Sequence, residues 1–78
     1  MELIEVVARF DLQGKITPLR FTWQGQKYAV AATGRRWQDE AGLHILVMAS
    51  GEHVYELVYV AGEARWYLKQ IRSHNLVA

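Results

Sequence analysis

Between Ile4 and Leu12, apolar side chains take every second position (Ile4, Val6, Ala8, Phe10, Leu12), while Glu5, Val7, Arg9 and Asp11 fall between them. A two-residue period puts the two sets on opposite sides of an extended chain, so the stretch is expected to be a strand with one apolar face. "QGK" at Gln13 to Lys15 signals a turn, and Pro18 stands where a strand begins, because its missing N–H matters least there. Leu19, Phe21 and Trp23 then alternate with Arg20, Thr22 and Gln24 in a second strand. Gly25 takes positive φ without steric cost and closes a tight turn into a third strand, in which Tyr28, Val30 and Ala32 share a face. Phe21, Trp23, Tyr28 and Val30 are therefore expected to meet across a core hairpin.

Gly34 either ends the third strand or introduces a bulge, and "RRWQDEAG" at Arg35 to Gly42 breaks the alternation and is expected to be the longest loop. Leu43 to Ala49 and Val54 to Val60 are β-rich runs joined at Ser50 to Glu52. "AGEA" at Ala61 to Ala64 turns into a last strand, Arg65 to about Arg72. About six short strands with Gly-bearing turns and no 3.6-residue pattern define an all-β antiparallel meander. A flat sheet of this size would expose one face and two edges, so an SH3-like or other small open barrel is expected, with a twisted sheet completed by a second subunit as its rival.

The fourth and fifth strands carry apolar residues on both faces. Leu46 and Met48 oppose Ile45 and Val47, and Val54, Val58 and Val60 oppose Tyr55, Leu57 and Tyr59. Such strands need a cover, which the terminal "SHNLVA" (Ser73 to Ala78), the long loop or a symmetric partner would supply. Leu46, Met48, Val54, Val58 and Val60 are accordingly candidate interface residues, and homodimerisation is one expected outcome.

Composition narrows the function classes. Seventy-eight residues are expected to form one domain, in which folding buries roughly 60 to 65% of the unfolded chain's surface. With no Cys, neither disulfides nor thiolate metal sites reinforce it, and the core must come from the 51% of residues that are apolar. A net charge of +1 does not point to a nucleic-acid or membrane partner, so a basic site would have to be local. "MELIEVVARF" lacks the features of a secretory signal, and no apolar run reaches the roughly 20 residues that span a bilayer. A soluble cytoplasmic protein is expected, without membrane contact.

Catalytic chemistry finds little support. His44, His53 and His74 lack the close spacing of metal ligands, and a turn at Ser50 to Glu52 leaves His44 and His53 out of direct register, so no metal and no cofactor is expected. Asp39 and Glu40 are adjacent and follow Arg35 and Arg36, which reads as a solvated charged loop more readily than as a pair of acid–base groups. Ser50 and Ser73 lack a nucleophile-elbow context, and "ATGRRW" is no phosphate-cradling loop. Glu56, inside the apolar run "VYELVYV", is the one carboxylate whose surroundings suit a perturbed acid, although a structural neighbour such as an Arg or an outward orientation is the commoner explanation. A non-enzymatic protein is expected.

Binding is the other class. Arg20, Lys27, Arg35, Arg36, Arg65 and Lys69 fall near Trp23, Tyr28, Trp37, Trp66 and Tyr67, and small β-barrels bind single strands by stacking bases on aromatics beside basic groups. Most of these aromatics are expected in the core, since each buries about 150 to 250 Å². Trp37 lies among charged residues and is either an exposed recognition residue or a plug that anchors its segment. Arg35, Arg36, Trp37, Lys27 and Arg20 are the candidate binding residues.

Pro18, "RFTWQGQKYAV", Arg36 with Trp37, "YEL" at Tyr55 to Leu57 and "WYLKQI" at Trp66 to Ile71 together resemble a family of small β domains. Its members occur alone or at the C-terminus of the inactive Y-family-polymerase-like component of bacterial DNA-damage mutagenesis systems. The likeness covers about two thirds of the chain in short islands, and "GLHILVM" stands where relatives of the appended type carry an Arg-Asp-aromatic segment. The resemblance implies a β accessory module with no catalytic residues. Two functions follow as expectations: an interaction module that binds a protein partner or itself, and, as the alternative, a single-stranded nucleic-acid binder linked to DNA-damage tolerance.

Overall fold

The computed structural model describes residues 1–49, 51 and 53–73. Seven strands make one antiparallel sheet: β1 (Glu2–Phe10), β2 (Ile16–Trp23), β3 (Gln26–Ala29), β4 (Ala32–Asp39), β5 (Gly42–Ala49), β6 (His53–Val60) and β7 (Arg65–Ser73). Their order is β3-β2-β1-β7-β6-β5-β4, so β3 and β4, consecutive in the chain, lie at the two ends of the sheet.

That order requires the sheet to curl. The chain passes from one end strand to the other through Val30 and Ala31 alone. The Val30 amide donates to the Leu19 carbonyl of β2 at 3.0 Å, and the Ala31 amide donates to the Met48 carbonyl of β5 at 2.7 Å. β3 and β4 thus behave as one bent strand whose first half pairs with β2 and whose second half pairs with β5, and the sheet becomes a small open barrel. Two seams remain where the bend parts the strands. On one side, Arg36 of β4 reaches across and donates from Nη1 to the Ile16 carbonyl of β2 at 2.7 Å. On the other, β3 separates from the β5–β6 hairpin and leaves a cleft.

The inward positions form one core, built on Ile4, Phe21, Ile45, Val47, Tyr55, Leu57, Trp66 and Leu68. Ile45, Val47 and Leu57 are fully enclosed, and burying a side chain of that size contributes about 1.5 to 3 kcal/mol. The expected aromatic hairpin is present: Phe21 pairs with Tyr28, their rings stacked with centroids 5.1 Å apart. Its two-residue turn has φ of 52° at Gln24 and 76° at Gly25, the left-handed pair that matches the twist of the flanking strands.

Two bulges change the expected pattern. In β2 the register shifts beside Leu19, between the pairs Val7–Arg20 and Ala8–Pro18. The extra residue turns Pro18 inward and leaves Leu19 exposed, so Leu19 does not share the face of Phe21 as strict alternation requires. In β4 the register shifts between Thr33 and Arg36, at Gly34 and Arg35. Arg35 to Gly42 is therefore not the longest loop: Arg35 to Asp39 completes β4, and the bulge hides its alternation from a periodicity reading. Asp39 and Gly42 pair across the tight turn that follows, where a Cβ on Gly42 would stand 2.5 Å from the Tyr59 carbonyl oxygen.

Among the described residues, no helix is long and apolar enough to cross a membrane. Of the proposed covers for the two-faced strands, the long loop is a strand of the barrel itself, and residues 74–78 of the terminal segment lie outside the described residues.

Candidate functional site

Pairing runs in register across the outer face. Trp37 of β4 lies opposite His44 of β5, His44 opposite Val58 of β6, Val58 opposite Tyr67 of β7, and Tyr67 opposite Leu3 of β1. Trp37 stacks on His44, with centroids 4.9 Å apart and planes 7° off parallel, and the Arg35 guanidinium sits 5.2 Å from the Trp37 ring. His44 and Val58 have no exposed surface although they face away from the core. Trp37 is half-buried and acts as the lid of this row.

Beneath that lid lies a cluster of charge. His44 Nδ1 is 2.7 Å from Oε2 of Glu56, and its Nε2 is 2.7 Å from Oδ1 of Asp39. Both contacts are diagonal across an antiparallel pair, two residues from direct register. Lys69 Nζ stands 3.8 Å from the same Glu56 oxygen. The bulge between Glu56 and Leu57 in the β6–β7 pairing gives β7 the extra residue that brings Lys69 there.

Asp39 has a second role. Its Oδ1 accepts the Ala41 amide at 2.9 Å, which shapes the β4–β5 turn. The hydrogen bond from His44, helped by the Ala41 amide, holds the Asp39 carboxyl below the ordinary carboxylate range. Asp11 plays the corresponding part in the β1–β2 turn, accepting the Gln13 and Lys15 amides at 2.9 and 2.8 Å, and the Lys15 amide lowers its carboxyl most.

This geometry revises two readings. Asp39 lies at the end of β4 rather than in a loop and, though half exposed, is a hydrogen-bond partner of a buried histidine, and Glu56 is on the outer side of the sheet, as His44 is, and bonds His44 rather than an Arg. Each ring nitrogen of His44 is thus engaged by a carboxylate oxygen. Among the described residues, no group of three His, Cys, Asp or Glu side chains is arranged to hold a metal ion. His53 pairs with Ala49 and not with His44, as the turn position implied, and His74 lies outside the described residues.

The other candidates are dispersed. Arg20 and Lys27 are exposed on the outer side of β2 and β3, in register with Val7 and Thr22. Arg35 lies on Trp37 at the outer side of β4, whereas Arg36 spans the seam to β2. The five basic and aromatic candidates therefore do not form one surface. Of the apolar candidates, Leu46, Met48 and Val54 gather with Ala32, Thr33 and Gly34 around a hollow of about 200 Å³. Val60 is half-buried further along β6, and Val58 is sealed under the His44 row. With only hydrogen at its Cα, Gly34 leaves the hollow open above Leu46, whose Cβ would lie 3.9 Å from an added methyl.

The second opening is the seam between β3 and the β5–β6 hairpin, a cleft of about 470 Å³ lined by Trp23, Gln26, Tyr28, His53, Tyr55 and Ile71. Burial, with the neighbouring Tyr28 hydroxyl adding to it, pushes the Tyr55 hydroxyl above its ordinary range.

A scan against family models, a search of the curated proteins and a search of the solved structures find no match to this chain.

Proposed function

We propose that the protein is a non-enzymatic interaction module that binds a protein partner, or a second copy of itself, through the outer face of β4, β5 and β6. The observation that carries this reading is the hollow at the Gly34 bulge, where Leu46, Met48 and Val54 remain only partly covered on the side away from the core. An apolar recess on an outer sheet face is the shape that takes an apolar side chain from a partner surface. The neighbouring charge supports the same reading. His44, Glu56 and Asp39 satisfy one another under Trp37, which suits a rigid support beside a contact surface.

Light scattering over a concentration series separates the two occupants. A mass of two chains that falls to one in Met48→Asp identifies a second copy, and a mass of one chain throughout removes that occupant. The reading itself is tested by a photo-reactive amino acid placed at the exposed Thr33, on the rim of the hollow. Adducts with one protein species at Thr33, and none from the same group at the exposed Gln13 in the β1–β2 turn, which does not line the hollow, are expected. Equal adduct patterns from the two positions would remove the proposal.

A further inference from the structure

The cleft between β3 and the β5–β6 hairpin has a chemistry of its own. Phe21 covers one face of Tyr28, with planes 13° off parallel. Trp23 stands 6.2 Å from the Tyr28 ring and 6.4 Å from the Tyr55 ring, tilted by 41° and 68°, and Tyr28 and Tyr55 are 5.7 Å apart. The rings form a cup of rigid aromatic walls, with half-buried Trp23 and Tyr28 at its opening. The indole of Trp23 is fixed from outside the cleft, since its Nε1 donates to Glu2 Oε1 at 3.2 Å.

Around the rings are Gln26, which is exposed on β3, and His53, which is exposed at the start of β6. Among the described residues that line the cleft there is no Asp, Glu, Lys or Arg. A cation would call for a carboxylate in such a site, and a phosphate for Lys or Arg. A neutral planar ligand needs neither. It needs a flat aromatic surface and a few groups that both donate and accept, and the Gln26 amide does both. The volume of about 470 Å³ falls within the roughly 300 to 1,000 Å³ usual for ligand clefts.

Cations stand outside the cup. Lys27 is exposed on β3 between Gln26 and Tyr28, and Lys69 lines an adjoining cleft that shares Trp23 and Ile71. Lys27 faces the outer side of β3 and Lys69 lies 3.8 Å from Glu56, so neither charge is directed into the cup.

We propose that this cleft is a nucleobase-binding site, in which a base lies against Tyr28 and Trp23 with its edge toward Gln26. The base is supplied either by a free nucleoside or nucleotide or by a single strand, and the two sources share the same contact. The site is separate from the outer-face hollow, so either stands without the other.

The test uses fluorescence polarization at low salt with a labelled DNA strand of about ten nucleotides, a length within the site sizes of single-strand binders. An abasic strand of equal length, adenosine and AMP serve as competitors. The abasic strand is expected to bind at least about fivefold more weakly, which is the lower end of what one stacked base contributes. Displacement of the labelled strand by adenosine or AMP assigns the site to free nucleosides or nucleotides, and displacement only by unlabelled strands with bases assigns it to single strands. Gln26→Ala and Tyr28→Leu are each expected to weaken binding severalfold, with thermal unfolding as the check on the fold. Should Tyr28→Leu unfold, the exposed Gln26 and the abasic strand decide the matter. Equal binding of abasic and base-bearing strands, no binding of any probe, or wild-type affinity in folded Gln26→Ala would overturn the proposal.

Discussion

Glu56 shows how one residue acquires meaning from its neighbours. It is 4% exposed, between a histidine that is not exposed at all and a lysine on the next strand. Removing Glu56 leaves Nδ1 of the buried His44 without a partner, so Glu56→Ala is expected to lose about 3 kcal/mol in urea unfolding. The double variant His44→Leu with Glu56→Leu should recover much of that loss, because apolar replacement of both members removes the unpaired charge. Asp39 belongs to the same cluster at its exposed end, and its carboxyl is lowered chiefly by the His44 hydrogen bond. A carboxyl lowered in the folded state contributes stability that is full above its unfolded value near 3.8 and is lost as pH falls through the folded value. Urea midpoints of Asp39→Asn are therefore expected to drop less than wild type between about pH 4 and pH 2. An unchanged acid limb would remove Asp39 from the cluster.

At the scale of elements, β4 was the one strand that the sequence hid, although β2 and β7 also take part in register shifts. β1 announces itself by period two, β5 and β6 by β-rich runs apolar on both faces, and the turn at residues 50–52 placed His53 away from His44 as the register now shows. The same register puts His44 and Glu56 on one face and diagonal to each other, so that contact was within reach of the sequence. The Asp39 contact was not, because the bulge at Gly34 and Arg35 makes β4 read as a loop and conceals its pairing with β5. The bulge also sends neighbouring arginines to different places, Arg35 onto Trp37 and Arg36 across the seam. Arg36→Ala is expected to cost about 1.5 kcal/mol, the net worth of a hydrogen bond to a charged donor. Amide hydrogen exchange is expected to quicken in the first half of β2, around Ile16, and to stay unchanged in β6. Uniform quickening along the chain would mean that Arg36 does not close a local seam.

The whole molecule follows from a bend of two residues. Because Val30 and Ala31 bond to β2 and β5 in turn, a seven-stranded sheet closes into a small open barrel whose inner face is filled by a single core. What remains for contact is the outer face and the seams. The outer face has two parts: a sealed part, where Trp37 stacks on the buried His44 next to the buried Val58, and an open part around the hollow of Leu46, Met48 and Val54. Met48→Asp separates contact from stability, since Met48 is half-buried on the outer side and a charge at the rim of a recess keeps access to water. The most direct measurement is the yield of photo-adducts from Thr33 in wild type and in Met48→Asp, with the thermal midpoint of each protein recorded alongside. Loss of the adducts at a midpoint within a few degrees of wild type is the expected result. Retention of the adducts in the folded variant would contradict the outer face as the contact surface.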